Sequence, residues 1–92
     1  MLVATIRYLP KNTTEVLCLI GENKEHNIEE TISDAFRDTA PGYVQDHLVI
    51  NIVKSSPDEY VLIHHTEDDG QMISPPACAL VTIKNPRLYG KD

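Results

Sequence analysis

No run of about 18 apolar residues occurs anywhere in this chain, which removes a membrane-spanning helix from consideration. Basic residues are scarce as well: 8 Lys and Arg stand against 14 Asp and Glu, for a formal charge of -6. A phosphate backbone is held by clustered cations, and Arg7, Lys24, Arg37, Lys54 and Lys84 are scattered. Nucleic acid is therefore not an expected partner. The carboxylates form no long track either, so their acidity reads as solubility rather than mimicry of nucleic acid.

Cysteine is limited to Cys18 and Cys78, each inside an apolar, strand-like run. Such thiols are expected to be reduced and buried, and spacing alone does not say whether the two are close. No nucleophile constellation surrounds them: Cys18 lies between Leu17 and Leu19, Cys78 between Ala77 and Ala79. Ser55, Ser56 and Ser74 stand in turns or beside proline, where hydroxyls ordinarily bond to backbone. The 4 glycines never gather into a phosphate-cradling loop. The sequence thus offers no catalytic residue and no cofactor site.

What is there reads as one α+β domain over 1–92, with a loose tail from about residue 86. The N-terminal MLVATIRYLP has too short an apolar run and no basic leader for a signal peptide; a cytoplasmic location is the expectation. A single clear helix runs through NIEETISDAFRDTAPG, from Asn27 to Gly42. Ile28, Ile32, Ala35 and Phe36 recur at helical spacing and make one apolar stripe. Asn27 is a good N-cap, with Glu30 three residues on as a capping-box partner, and Pro41-Gly42 supplies a stop. Acidic residues crowd the first turns and Arg37 the last, which suits the helix dipole.

Strands flank this helix. LVATIRYL and TEVLCLI (Leu2–Leu9 and Thr14–Ile20) read as an antiparallel hairpin, because the link between them is too short for a crossover. After the helix come HLVINIVK and EYVLIHHT (His47–Lys54 and Glu59–Thr66), then a tight Asp69-Gly70 turn and a short returning edge at 71–74. Pro75-Pro76 interrupts pairing, and ACALVTIK (Ala77–Lys84) is the last strand. The order is ββαβββ, a single helix on a mixed or antiparallel sheet of about five strands. In this order, with a hairpin before the helix, the chain is similar to β-grasp, ubiquitin-like domains. No residue motif accompanies the likeness, so no function comes with it.

If Lys54 stands opposite Glu59, then Leu48, Ile50, Ile52, Val61 and Ile63 share the face beneath the helix. The other face would carry Val49, Asn51, Val53, Tyr60 and Leu62. A slip of one residue would exchange the two sets on one strand. Both sets are apolar, and one helix covers one face, so the second set is expected to be an interface. A homodimer or another protein partner would close it, and strong sheet curvature is the alternative. Asn51 interrupts the apolar run, either as an amide satisfied locally or as a polar specificity group.

The remaining candidate is His64-His65 with the acidic Glu67-Asp68-Asp69 turn. Adjacent strand residues point to opposite faces, so His64 and His65 do not share an ion easily. In the register above, His47 and His64 lie diagonally on one face and are the better metal pair, though two ligands are too few for a specific site. The leading expectation is a small non-enzymatic protein-binding module, a regulator or inhibitor acting through a sheet face. The alternatives are a metal-dependent protein using the His64/His65 region and a structural subunit of a homo-oligomer.

Overall fold

Strand-forming residues recur in five long segments, and the structure makes each of them a strand. A computed structural model describes residues 1–9 and 15–85. β1 (Leu2–Tyr8) and β2 (Glu15–Ile20) form the first hairpin, and β3 (Leu48–Ser56), β4 (Glu59–Asp68), β5 (Gln71–Met72) and β6 (Ala77–Lys84) follow the helical part. The sheet order is β2-β1-β6-β4-β3, with β5 paired to β4, and every pair is antiparallel. Of the two arrangements open from sequence, mixed or antiparallel, the fold takes the second. The expected tail from residue 86 lies outside the described residues.

One helix, α1 (Ile28–Asp38), lies across the sheet. Its stripe packs down as the spacing requires: Ile32 and Phe36 are buried, and Ile28 and Ala35 are half-buried against them. The polar link before it is not loose but a 3-10 turn over Glu22–Asn27. That turn alters the cap. Asn27 occupies the N-cap position, yet its side chain bonds no backbone N–H; its Nδ2 donates to Glu30 Oε1 at 2.7 Å instead. At the far end, Thr39 closes α1, and Pro41 opens a short helical turn, α2 (Gly42–Gln45), rather than simply stopping the helix.

The β4–β5 hairpin has the geometry that its Asp-Gly turn demands. Asp69 and Gly70 have φ of 53° and 75°, the left-handed pair of a two-residue hairpin loop, a region that glycine enters freely and aspartate tolerates better than most residues. Proline then breaks the return. β5 and β6 both pair with β4, separated by Ile73-Ser74-Pro75-Pro76, whose two prolines have no N–H to give the ladder. Ser74 compensates with its side chain: its Oγ accepts from Thr66 N at 2.9 Å and from Thr66 Oγ1 at 2.8 Å.

The β3–β4 register departs from expectation by one residue. Ser56 pairs with Glu59 across a Pro57-Asp58 loop, and a bulge at Ser55 then sets Lys54 opposite Tyr60. The slip exchanges the two faces of β4. Leu48, Ile50 and Ile52 do lie on the helix side, but their partners there are Thr66, His64 and Leu62, with Tyr60 next along β4, and not Val61 and Ile63. The core is Ile6, Ile20, Ile32, Phe36, Leu48, Tyr60, Leu62 and Val81, with Ala4, Cys18 and Ala79 filling between them.

Candidate functional site

Two surfaces could carry function, and the sheet separates them. The first is the face that α1 leaves open. Register places Val3, Thr5 and Arg7 of β1, Leu17 and Leu19 of β2, and Val49, Asn51 and Val53 of β3 on it. Val61 and Ile63 come from β4, Cys78, Leu80 and Thr82 from β6. Among the described residues no second layer covers this face, and β2 and β3 remain free edges, so curvature has not closed the sheet on itself. Leu17 is 70%, Leu19 65%, Val53 56% and Leu80 42% exposed.

The rows across this face follow from pairing. Leu80, Val61 and Val53 stand side by side on β6, β4 and β3, next to Cys78, Ile63 and Asn51 in the adjoining row. That makes one apolar zone. Leu17, Leu19 and Val3 make a second, on β2 and β1, and Arg7, Thr5, Thr82 and Glu59 run between the two. Arg7 Nε meets Glu15 Oε2 at 3.3 Å, an exposed pair of small energetic weight.

Three of the five residues expected at an interface are therefore on the open face: Val49, Asn51 and Val53. Tyr60 and Leu62 are not. Both are buried beneath α1, because the Ser55 bulge turned β4 over. Asn51 is exposed on the open face, and among the described residues its amide has no hydrogen-bond partner.

The same slip separates the metal candidates. His64 faces the helix side, opposite Ile50, while His47 lies beyond β3 alongside Glu67 and on the other face. His47 Nδ1 lies 3.1 Å from the Glu67 carbonyl oxygen, and His65 Nε2 pairs with Glu67 Oε2 at 2.7 Å. His47 and His64 thus have no common ion to hold. Among the described residues no group of 3 or more His, Cys, Asp or Glu is placed to hold one. The cysteines are apart too: Cys18 is buried on the helix side, its thiol pKa raised by that burial, and Cys78 is exposed on the open face.

The second surface is a cleft of about 350 Å³ on the helix side, where α1 ends over the sheet. Its position follows from residue size. At this end of the helix side β6 contributes only Ala77 and Ala79, flanked by Tyr8, Leu62 and His64. Phe36 fills the space above with its ring 5.2 Å from Tyr8, stacked, and 4.7 Å from His64, tilted. Ala40, Pro41, Val44 and Leu48 form the opposite, aliphatic wall. Arg37 fixes that wall, its Nη1 donating to the Gln45 and Leu48 carbonyls at 2.7 and 2.8 Å.

Tyr8, His64 and His65 line the cleft, and of the two imidazoles His65 is engaged by Glu67. Burial, and secondarily the neighbouring His65, lower the His64 pKa below 6.5, so its neutral imidazole predominates at pH 7. Among the described residues neither His64 ring nitrogen has a hydrogen-bond partner in the protein. The sequence singled out His64 only as a metal candidate, and it gave no sign of Tyr8, Thr39 and Ser74 beside it. The available signal was slight: Ala77 and Ala79 place only methyl groups between Tyr8 and His64 on that face. No family model matches the chain, and no curated protein or solved structure is significantly similar to it, so the likeness to β-grasp domains is one of element order alone.

Proposed function

We propose that this chain is a non-enzymatic protein-binding module that works through its open sheet face, and that the surface it meets there is a second copy of itself. A single observation carries the reading. An antiparallel sheet with one wet face ordinarily alternates apolar-in and polar-out, whereas here Leu17, Leu19, Val53 and Leu80 are exposed on the outer face. Monomers rarely leave such a surface in water when it is contiguous over more than a few hundred Å².

Charge favours a like copy. Glu22, Glu25, Glu29, Glu30, Asp34 and Asp38 lie in the 3-10 turn and α1, on the helix side. The open face instead mixes Arg7 and Lys84 with Glu15 and Glu59. Two copies of a chain with a formal charge of -6 repel through their helices and meet at least cost through their sheets. An isologous pair would bury both apolar zones at once. A regulator or inhibitor that exchanges this self-contact for another protein's surface would use the same residues.

Sedimentation across a concentration series tests this, with wild type beside Leu80→Glu. The expected result is a wild-type dimer at micromolar concentration and a monomeric Leu80→Glu of unchanged circular dichroism. A wild type that stays monomeric at millimolar concentration overturns the self-association. Alkylation of Cys78 gives a second readout, since it should slow as wild-type concentration rises.

A further inference from the structure

The cleft under the end of α1 lies on the opposite side of the sheet from the proposed interface, so its role stands independently of self-association. We propose that it binds a small, neutral, planar molecule with a carboxamide-like edge, the ring against Phe36 and the edge met by His64 and Ser74.

Proton bookkeeping sets the ligand's chemistry. Thr39 Oγ1 donates to the Phe36 carbonyl at 2.6 Å, so its contact with Tyr8 Oη, also 2.6 Å, uses the tyrosine's proton. Tyr8 Oη thereby keeps free lone pairs. Ser74 Oγ accepts twice from Thr66, which leaves its own proton to donate. Neutral His64 brings one N–H and one bare nitrogen, both without a partner among the described residues. Thr66 follows His64 by two residues on the same face of β4, about 7 Å along the strand. The Ser74 donor and the His64 pair therefore line one wall at a spacing that a small polar edge can bridge.

The rest of the cleft excludes charge. Among the described residues neither Lys nor Arg lines it, and the His65 ring is turned to Glu67, so a carboxylate or phosphate would lose its hydration without compensation. No Asp or Glu lines it either, and the Glu67 carboxylate is engaged by His65, so a cation fares no better. Size limits the ligand further, since about 350 Å³ lies at the small end of ligand sites. Together the aromatic wall and aliphatic wall suit one or two rings.

Benzamide is the probe and benzoate its charged counterpart, each titrated into ¹⁵N-labelled protein at pH 7.5. Benzamide should give saturable shifts at the Phe36, Thr39, Val44, Thr66 and Ser74 amides, with a dissociation constant in the millimolar range. Benzoate should bind about tenfold more weakly, and His64→Phe should weaken benzamide by a similar factor, the worth of one hydrogen bond. Ser74→Ala should cost several-fold, and it provides the reading if His64→Phe fails to fold. Shifts that stay linear with benzamide, or centre on Leu17 and Leu80, overturn the proposal. So does equal affinity for benzamide and benzoate, or an unweakened response in folded His64→Phe or Ser74→Ala.

Discussion

The two faces of this sheet are written in almost the same alphabet and meet opposite fates. On β2, Cys18 and Ile20 are buried while Leu17 and Leu19, which alternate with them, are among the most exposed large apolar residues described. On β4, Tyr60 and Leu62 are core while Val61 and Ile63 look outward. Hydropathy does not distinguish these sets. What separates them is the side on which α1 lies, and for β4 the parity is set by a single bulged residue, Ser55. A strand apolar on both faces says that two surfaces need cover, but not which cover comes from within the chain.

That contrast is broken most severely by exchanging a charge into each face. Leu62→Glu places a carboxylate in a site with 0% exposure and should unfold the protein, at a cost of about 5 kcal/mol or more. Leu17→Glu, one strand face away, should leave the unfolding midpoint of dilute monomer within about 0.5 kcal/mol of wild type. Urea titrations of both variants decide it; a comparable loss at Leu17 would mean that the open face is covered in the monomer.

Phe36→Ala comes next. Phe36 closes the α1 stripe and contacts both Tyr8 and His64, so its removal leaves a cavity at the meeting point of helix and sheet. The expected loss is about 3–5 kcal/mol. A nearly unchanged thermal midpoint would show that α1 is not what makes the covered face a core.

His64 sharpens the contrast through pH. Its pKa is lowered by burial first and by His65 second, so the unfolded chain takes up the proton before the folded one as pH falls. The contribution of the neutral ring is fully present above pH 6.5 and is lost as pH drops toward the folded-state value. Wild type should therefore lose stability relative to His64→Gln between pH 7.5 and pH 5. A difference in urea midpoint that stays constant over that range would place His64 in water rather than against Phe36.

Local pattern made much of the fold legible. The α1 stripe from Ile28 to Phe36, the Asp69-Gly70 turn, the Pro75-Pro76 break and the bounds of the last strand each rest on a few neighbouring residues, and the structure has all of them. The faces of β4 were not legible, because one extra residue at Ser55 reverses them and both alternatives are apolar. Neither was the cleft. Tyr8, Phe36 and His64 are remote in sequence and meet only through the β1–β6–β4 pairing, which no local window contains. The diagonal placement of His47 and His64 on one face failed with the register on which it depended.

The smallest effect concerns how the covering helix begins. A working asparagine cap is worth about 1 kcal/mol because its carbonyl oxygen accepts an otherwise unpaired N–H of the first turn. Here Asn27 makes no such bond, and its amide nitrogen is spent on Glu30. The 3-10 turn before α1 explains why the helix tolerates this, since the chain enters already wound, and Thr31 Oγ1 donates to the Asn27 carbonyl at 3.0 Å. What Asn27→Ala removes is an exposed side-chain contact, for which about 0.2–0.5 kcal/mol is the usual scale. Glu30→Ala should cost about the same, and the double variant little more than either, because both delete one bond. If Asn27→Ala alone costs well over 1 kcal/mol while Glu30→Ala costs nothing, the asparagine caps the backbone in solution. The helix that divides the two faces would then owe its start to its cap, and not to the stripe that packs it down.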